Sequence, residues 1–403
     1  MKNLVFKFLS LVVLVLVFNS CNEPLVNEDP LNEVALKSAN ASKVSYIVTL
    51  RDAELDTELA QLKGYENRQH AASVAADRIL KRAGIADGEI EHVYGTALHG
   101  FSVMIPPGQL KKLQDDPSVK YIEKDQVAVL IHPTKGNPHT GGGNTGGGST
   151  GQTTPWGVAR VNGGVGGAFG KAWIIDTGID LDHPDLNVDV ADSKNFVWKD
   201  SSPEDLNGHG THVAGTIAAI DNNVGVIGVA AGATVVAVRV LDRRGSGSYS
   251  DVIAGVNYVA ENGHNGDVAN MSLGGPPSDA LDAAVESAAA TGIKFALAAG
   301  NDSDDADNYS PARAEGSNIY TVSAMWEGDD WASFSNYGTH VDYCEPGVYI
   351  ESTWKNGGYN TISGTSMATP HLAGILLLDK LTTDGTVTGD PDNPDDPIGV
   401  VVN

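Results

Sequence analysis

Cysteine is nearly absent: the 403 residues contain two, Cys21 and Cys344. Cys21 closes an N-terminal apolar stretch, so Cys344 is left without an intramolecular partner when that cysteine is modified or removed. A disulfide framework is thereby excluded, and stability must come from packing or metal. Basic residues are also scarce. Lys and Arg number 26 against 51 Asp and Glu, a formal net charge of −25. That imbalance argues against nucleic acid as a partner and for solubility. Long apolar runs are missing too: FLSLVVLVLVF at 8–18 is too short for an ordinary membrane span. Glycine is plentiful, with 47 residues.

The apolar run is a targeting element. Lys2 and Lys7 form a basic region before it, and NSC, ending at Cys21, follows it. A cysteine in that place resembles a bacterial lipoprotein signal, in which it is lipidated and becomes the new N-terminus. Ser20 fits that pattern; Phe18 and Asn19 fit it loosely. Whether as a lipoprotein signal over 1–21 or as a plain secretory signal, the segment predicts export. A lipid on Cys21 would be the chain's one attachment to a membrane.

Residues 22–43 read as a polar tether. Residues 44–131 read as a small α+β unit, with a strand at VSYIVTL (44–50) and an amphipathic helix at ENRQHAASVAADRILKRAG (66–84). Strand material follows in IEHVYGTALHGFSVMIP (90–106), then a short helix at 107–119 and a last strand at KYIEKDQVAVL (120–130). HPTKGNPHTGGGNTGGGSTG (132–151) is a Gly-rich linker that cannot build a core. Beyond it, apolar strands such as KAWIIDTG (171–178), ATVVAVRVL (233–241) and IKFALAAGN (293–301) alternate with helical stretches. Alternation of this kind predicts an α/β domain over 152–385 with a parallel sheet wrapped by helices. Its chemistry should gather at the carboxyl ends of the strands. Residues 386–403, with PDNPDDP at 391–397, read as an acidic, Pro-rich, solvated tail rather than a metal site.

Three stretches carry candidate catalytic groups. In SGTSMATPH (363–371), Ser366 stands before an apolar helical run. Pro370 is read there as lying among the early helix positions whose N–H groups lack partners. By itself Ser366 could be a simple helix cap. In WIIDTGIDLDHPD (173–185), Asp176 ends an apolar strand, a costly place for a carboxylate without a partner. In NGHGTHVAGT (207–216), His209 lies between glycines at a helix start. Singly, a turn-forming Asp or a structural His explains each as well. Together they give the order Asp, His, Ser, one of the known chain orders of a serine-protease triad.

IIDTGID, HGTHVAGT, ANMSLGG, AAGN, SFSNYG and SGTSMATPH, in that order over residues 152–374, resemble the subtilisin-like serine proteases, and the proteinase K branch in particular. The resemblance implies a three-layer α/β/α fold and a monomer that hydrolyses protein or peptide substrates. No catalytic metal or organic cofactor is implied. Ser366 would be the nucleophile, His209 its base and Asp176 the partner of His209. The Asn301 amide and the Ser366 N–H would stabilise the oxyanion. Gly245, Ser246 and Gly247, with Ser272, Leu273 and Gly274, would be edges that bracket an extended peptide. Ala298, Ala299 and Gly300 would line an open S1 pocket for apolar or aromatic residues, with Asp302 nearby.

A structural Ca²⁺ is implied as well. Side-chain oxygens would come from Gln152, Asp185 and Asn222, and carbonyls from Ile220, Val224 and Val226, an oxygen cage of the kind a hard cation takes. A second site near Asp342 has weaker support, because Ser317 stands where the family has a proline. Residues 44–131 resemble the family's inhibitory propeptide, with cleavage between Ile131 and His132, Ile131 in S1 and Ala128 at the fourth subsite. The chain after Leu381 departs from the family's closing helices. A specific processing protease is an alternative reading; a peptide-binding pseudoenzyme would not need the triad.

Overall fold

The computed structural model describes residues 42–130 and 151–402, apart from positions 168 and 393. The signal segment with Cys21, the tether up to residue 41, the cleavage pair Ile131 and His132, and the linker up to residue 150 lie outside the described residues.

The first unit is an antiparallel sheet of β1 (Val44–Leu50), β2 (Glu89–Gly95), β3 (His99–Ile105) and β4 (Val119–Lys124), in the order β2-β3-β1-β4. Helix Tyr65–Arg82 turns Ala71, Ala72, Ala75, Ala76, Ile79 and Leu80 inward. These residues recur at helical spacing, so one face is apolar and packs on the sheet. A helix the sequence reading missed, Ala53–Leu59, is capped by Asp52, whose carboxylate accepts the Glu54 and Leu55 N–H groups. A further strand, β5 (Val127–Leu130), leaves this unit and joins the second.

The second unit is built on a large sheet. Its strands are β6 (Lys171–Asp176), β7 (Asn187–Val188), β8 (Lys194–Asn195), β9 (Thr234–Arg239), β11 (Val268–Met271), β13 (Lys294–Ala298), β14 (Ile319–Met325), β15 (Tyr343–Pro346), β18 (Leu381–Thr386) and β19 (Pro397–Val401). The short β10 (Ser246–Ser248) and β12 (Leu273–Gly274) stand apart beside β5, and β16 (Ile350–Trp354) pairs with β17 (Gly358–Ile362) in a hairpin. Pairing in the large sheet is parallel except between β18 and β19. Successive side chains of a strand point to opposite faces. On one face Ile175, Val236, Val238, Phe295 and Leu297 meet helices Tyr249–Asn262 and Asp279–Ala289. On the other, Ile174, Val235, Ala237 and Ala296 meet helices His209–Ala218 and Thr365–Leu377. This is the expected three-layer α/β/α arrangement.

The reading of 386–403 as a solvated tail needs correction. β19 adds in parallel to β15, with Ile398 opposite Cys344, and β18 folds back on β19 as an antiparallel edge. Ile398, Val400 and Val401 are buried, so the α/β domain runs past 385 to the end of the described chain. The acidic segment between these strands is a connection, and within it buried Asp396 accepts the Ser323 hydroxyl at 2.7 Å. Cys344 is buried and free, as a small apolar residue would be.

Candidate active site

Asp176 is the last residue of β6 and is fully buried. His209 is the first residue of its helix, where the preceding Gly208 has φ 117° and a Cβ would fall 2.3 Å from the Trp354 ring. Only glycine fits that conformation and that space. The turn brings His209 Nδ1 to 2.9 Å from Asp176 Oδ1 and 3.0 Å from Oδ2. A carboxylate only accepts, so Nδ1 carries the proton and Nε2 is the basic nitrogen. The neighbouring histidine of HGTH is arranged differently. His212 is buried, its Nε2 donates to the Ile350 carbonyl at 3.0 Å, and desolvation pushes its pKa down to about 3. His371 is likewise buried and pushed down to about 4.

Ser366 opens helix Thr365–Leu377, next to Thr365 at its first turn. Its Oγ donates to the Ser272 carbonyl at 3.1 Å. Among the described residues no hydrogen bond joins Ser366 Oγ to His209. Pro370 lies deeper in this helix than the sequence reading placed it, beyond the first turn. The N–H it lacks is the one that would have met the Ser366 carbonyl. Ser272 Oγ fills the gap, donating to that carbonyl at 3.0 Å.

Asn301 follows β13 and is buried, and its Oδ1 accepts the Thr365 N–H at 2.9 Å. The carboxamide is thus fastened beside the helix mouth that carries Ser366. Gly300, at φ 115°, makes the bend; a Cβ there would meet Asn336 Nδ2 at 2.1 Å.

The two edge segments come together around a peptide. β5 is the middle strand of an antiparallel sheet β10-β5-β12. Ser246, Gly247 and Ser248 face Val129, Ala128 and Val127, while Leu273 and Gly274 face Leu130 and Val129. The Leu130 N–H donates to the Gly245 carbonyl at 2.8 Å. Ala128 and Leu130 are buried, whereas Val127 and Val129 are 56% and 45% exposed. Next to β5, Gly274, Ala298, Ala299, Gly300, Tyr309 and Ala312 line a cavity of about 370 Å³ that Asp302 also borders.

The first unit holds the second by its helix ends. Glu123 accepts the Ala280 N–H and the Ser278 hydroxyl, and Asp125 accepts the Ser250 N–H. Both carboxylates lie where a helix N-terminus favours negative charge. Asn257 Oδ1 accepts the N–H groups of Thr96, Ala97 and Leu98.

The residues expected to hold Ca²⁺ largely converge. Asp185, fully buried, accepts from Asn222 Nδ2 at 2.6 Å, the Val226 N–H at 3.1 Å and the Tyr359 hydroxyl at 3.1 Å. The Gln152 amide meets the Ile220 carbonyl at 2.6 Å and the Val226 carbonyl at 3.0 Å. Val224 takes part through its N–H, which donates to Asn222 Oδ1. Tyr359 was missed in the sequence, since β17 arrives from far along the chain. A buried carboxylate among carbonyls, with no Lys or Arg bonded to it among the described residues, fits a cation. Asp342 is different: it accepts the Thr321 N–H at 2.8 Å, a bond that serves β14.

The profile described as Subtilase family matches residues 173–383, and that of Peptidase inhibitor I9 matches residues 45–130.

The chain belongs to the subtilase family.

It is similar to the extracellular serine proteinase of Thermus sp. (strain Rt41A), 38% identical over 379 residues that span 92% of this chain and 88% of that protein. It is 42% identical to alkaline serine exoprotease A of Vibrio alginolyticus, across 74% of this chain and 54% of that protein, so it spans about half that relative's length. A crystal structure of a cold adapted subtilisin-like serine proteinase aligns with TM-score 0.50 and 40% identity, over 58% of this chain and 89% of the other. This subtilase is a subtilisin-like serine protease preceded by an I9-type propeptide. Among the described residues no helix is long and apolar enough to cross a membrane.

Proposed function

We propose that the protein is an exported serine endopeptidase made as a zymogen, with Asp176, His209 and Ser366 as its triad. The observation that carries this reading is the course of β5. A peptide strand already lies between β10 and β12 and ends beside Leu273, one residue from the Ser272–Ser366 pair. A substrate strand would lie the same way and bring its carbonyl to Ser366.

His209 Nε2 would take the Ser366 proton as Oγ attacks that carbonyl, and Asp176 would hold the tautomer and stabilise the imidazolium. The Asn301 amide and the Ser366 N–H would stabilise the oxyanion. His209 would then protonate the leaving amine, and water would hydrolyse the acyl-enzyme by the reverse sequence. Ala298, Ala299 and Gly300 offer an uncharged wall, which supports broad cleavage after apolar or aromatic residues. Ca²⁺ would be structural, held by Gln152, Asp185, Ile220, Asn222 and Val226, and would tie the 220–226 loop to residue 152.

The described part of β5 ends at Leu130, opposite Leu273 and one residue from Ser272, which supports a cut just beyond it, between Ile131 and His132. The mature chain then begins at His132. If Cys21 carries lipid, the cut frees the catalytic domain from the membrane. The name of the Thermus relative, an extracellular enzyme, supports export.

Ser366→Ala decides the mechanism: turnover should fall on the order of 10⁶-fold, the cost of the same change in subtilisin itself, and fluorophosphonate labelling should vanish. N-terminal sequencing of the released enzyme should read from His132, while Ser366→Ala should keep residues 22–131 attached and, where Cys21 carries lipid, remain with the membrane fraction. Substantial activity in Ser366→Ala, or a mature enzyme still carrying the propeptide covalently, would overturn the reading.

A further inference from the structure

We propose that Asp205 is a positioning residue that sets the Asp176–His209 pair, and this rests on the triad reading above. Asp205 is buried, with 2% of its surface exposed, and it collects donors from both sides of the site. Its Oδ1 accepts the Thr177 hydroxyl at 2.9 Å and the N–H groups of Asn207 and Gly208 at 2.8 Å. Its Oδ2 accepts the Thr211 N–H at 3.0 Å and the Thr211 hydroxyl at 2.6 Å.

These bonds have two ends. One end is the start of the His209–Ala218 helix. Its N-cap is Gly208, which has no side chain to offer the first-turn N–H groups. Asp205 supplies the cap instead, at Thr211, and also fixes the Asn207–Gly208 turn that delivers His209. The other end is the tip of β6. Thr177 gives its hydroxyl proton to Asp205 and accepts the Gly210 N–H at 3.0 Å, while its own N–H donates to Asp176 Oδ1 at 2.7 Å. One carboxylate therefore fastens the strand that carries Asp176 to the turn that carries His209.

The chemistry requires a carboxylate. All five groups bonded to it are donors, and a serine or asparagine cap would add a donor of its own or lack an acceptor. Burial pushes the Asp205 pKa up, and the bonds from Thr211, Gly208 and Asn207 offset that rise only in part. Keeping a carboxylate in such a place is costly, and the return is a strand and a helix held at hydrogen-bond distance. A misplacement of about 1 Å in a catalytic group can cost roughly 10²-fold in rate.

Three variants test this in the mature enzyme. Asp205→Asn puts an amide N–H₂ against donors and should lower kcat by about 10²-fold with KM within about twofold, because β10 and β12 bind the peptide elsewhere. Thr177→Val cuts the link to β6, and with it the bond to the Gly210 N–H, but leaves the Asp205 bonds to Thr211, so kcat should fall in the same way, and Thr177→Ser should restore it. The Nδ1–H proton of His209, read by NMR, should shift or broaden in Asp205→Asn and Thr177→Val. That signal needs no turnover, so it reports on Asp205 even where the nucleophile assignment has failed. A folded Asp205→Asn with wild-type kcat and an unmoved signal would overturn the proposal. If Asp205→Asn does not fold, Thr177→Val decides: unchanged kcat and an unmoved signal would overturn it equally.

Discussion

Ser272 and Ser366 are joined by two reciprocal hydrogen bonds: Ser272 Oγ donates to the Ser366 carbonyl at 3.0 Å, and Ser366 Oγ donates to the Ser272 carbonyl at 3.1 Å. The first bond repairs the break that Pro370 makes in the helix ladder. The second parks the candidate nucleophile on the residue just before β12, the strand that pairs with β5. Ser272→Ala should leave a buried carbonyl without its donor, at a cost of about 1–3 kcal/mol. A thermal melt of the Ser366→Ala background, where self-digestion is absent, measures it. An unchanged melting temperature would mean that another donor satisfies the carbonyl.

The Asn301 carboxamide is fixed by Thr365 at 2.9 Å. Asn301→Leu keeps the volume and removes the amide. Turnover should drop roughly 10²–10³-fold, the value for the equivalent donor in subtilisin, with KM little changed. Equal losses in binding of substrate and in turnover would argue for damage to the pocket instead.

Chelation should lower thermal stability, since a ligand that binds only the folded state stabilises it by mass action. At a free Ca²⁺ concentration of 100 times its Kd the gain is about 2.7 kcal/mol. Asp185→Ala should melt like the chelated wild type and gain nothing from added Ca²⁺. Identical melting of the wild type with calcium and with chelator would remove the cation from this site.

Propeptide binding should weaken as pH rises. Burial raises the carboxyl pKa values of Glu91 and Asp125 above the ordinary carboxylate range, and Asp125 meets the second unit at the Ser250 N–H. The two share the Ser45 hydroxyl, and His92 faces Asp251 beside them at 2.7 Å. A raised pKa in the complex means that protonation favours the complex. That contribution is full below the ordinary carboxylate range and is lost as pH climbs through the raised values. Inhibition by the separately made propeptide should therefore be tightest in mild acid. Asp125→Asn should flatten the dependence; an unaltered pH profile in that variant would assign it to other groups.

Much of the site was legible from the residues because its parts are local. A strand that ends in Asp176, a glycine turn before His209 and a helix led by Ser366 are short stretches whose backbone needs are written in their own composition. The parallel sheet was legible for the same reason, since strands buried on both faces must be apolar throughout. Other features depend on partners distant in sequence. β19 is a strand because Cys344 lies beside Ile398, and the acidic residues before it hid that pairing. Between His209 and His212, tertiary packing puts one against Asp176 and the other against the Ile350 carbonyl. The role of Pro370 depends on Ser272, and that of Asp205 on Thr177. The sequence by itself determined the segments and the chemical groups they carry, because local backbone preference and side-chain periodicity act within a few residues. Only the tertiary structure decided which of those groups meet, because a hydrogen bond or a buried contact forms between atoms brought within a few ångströms, whatever their separation along the chain.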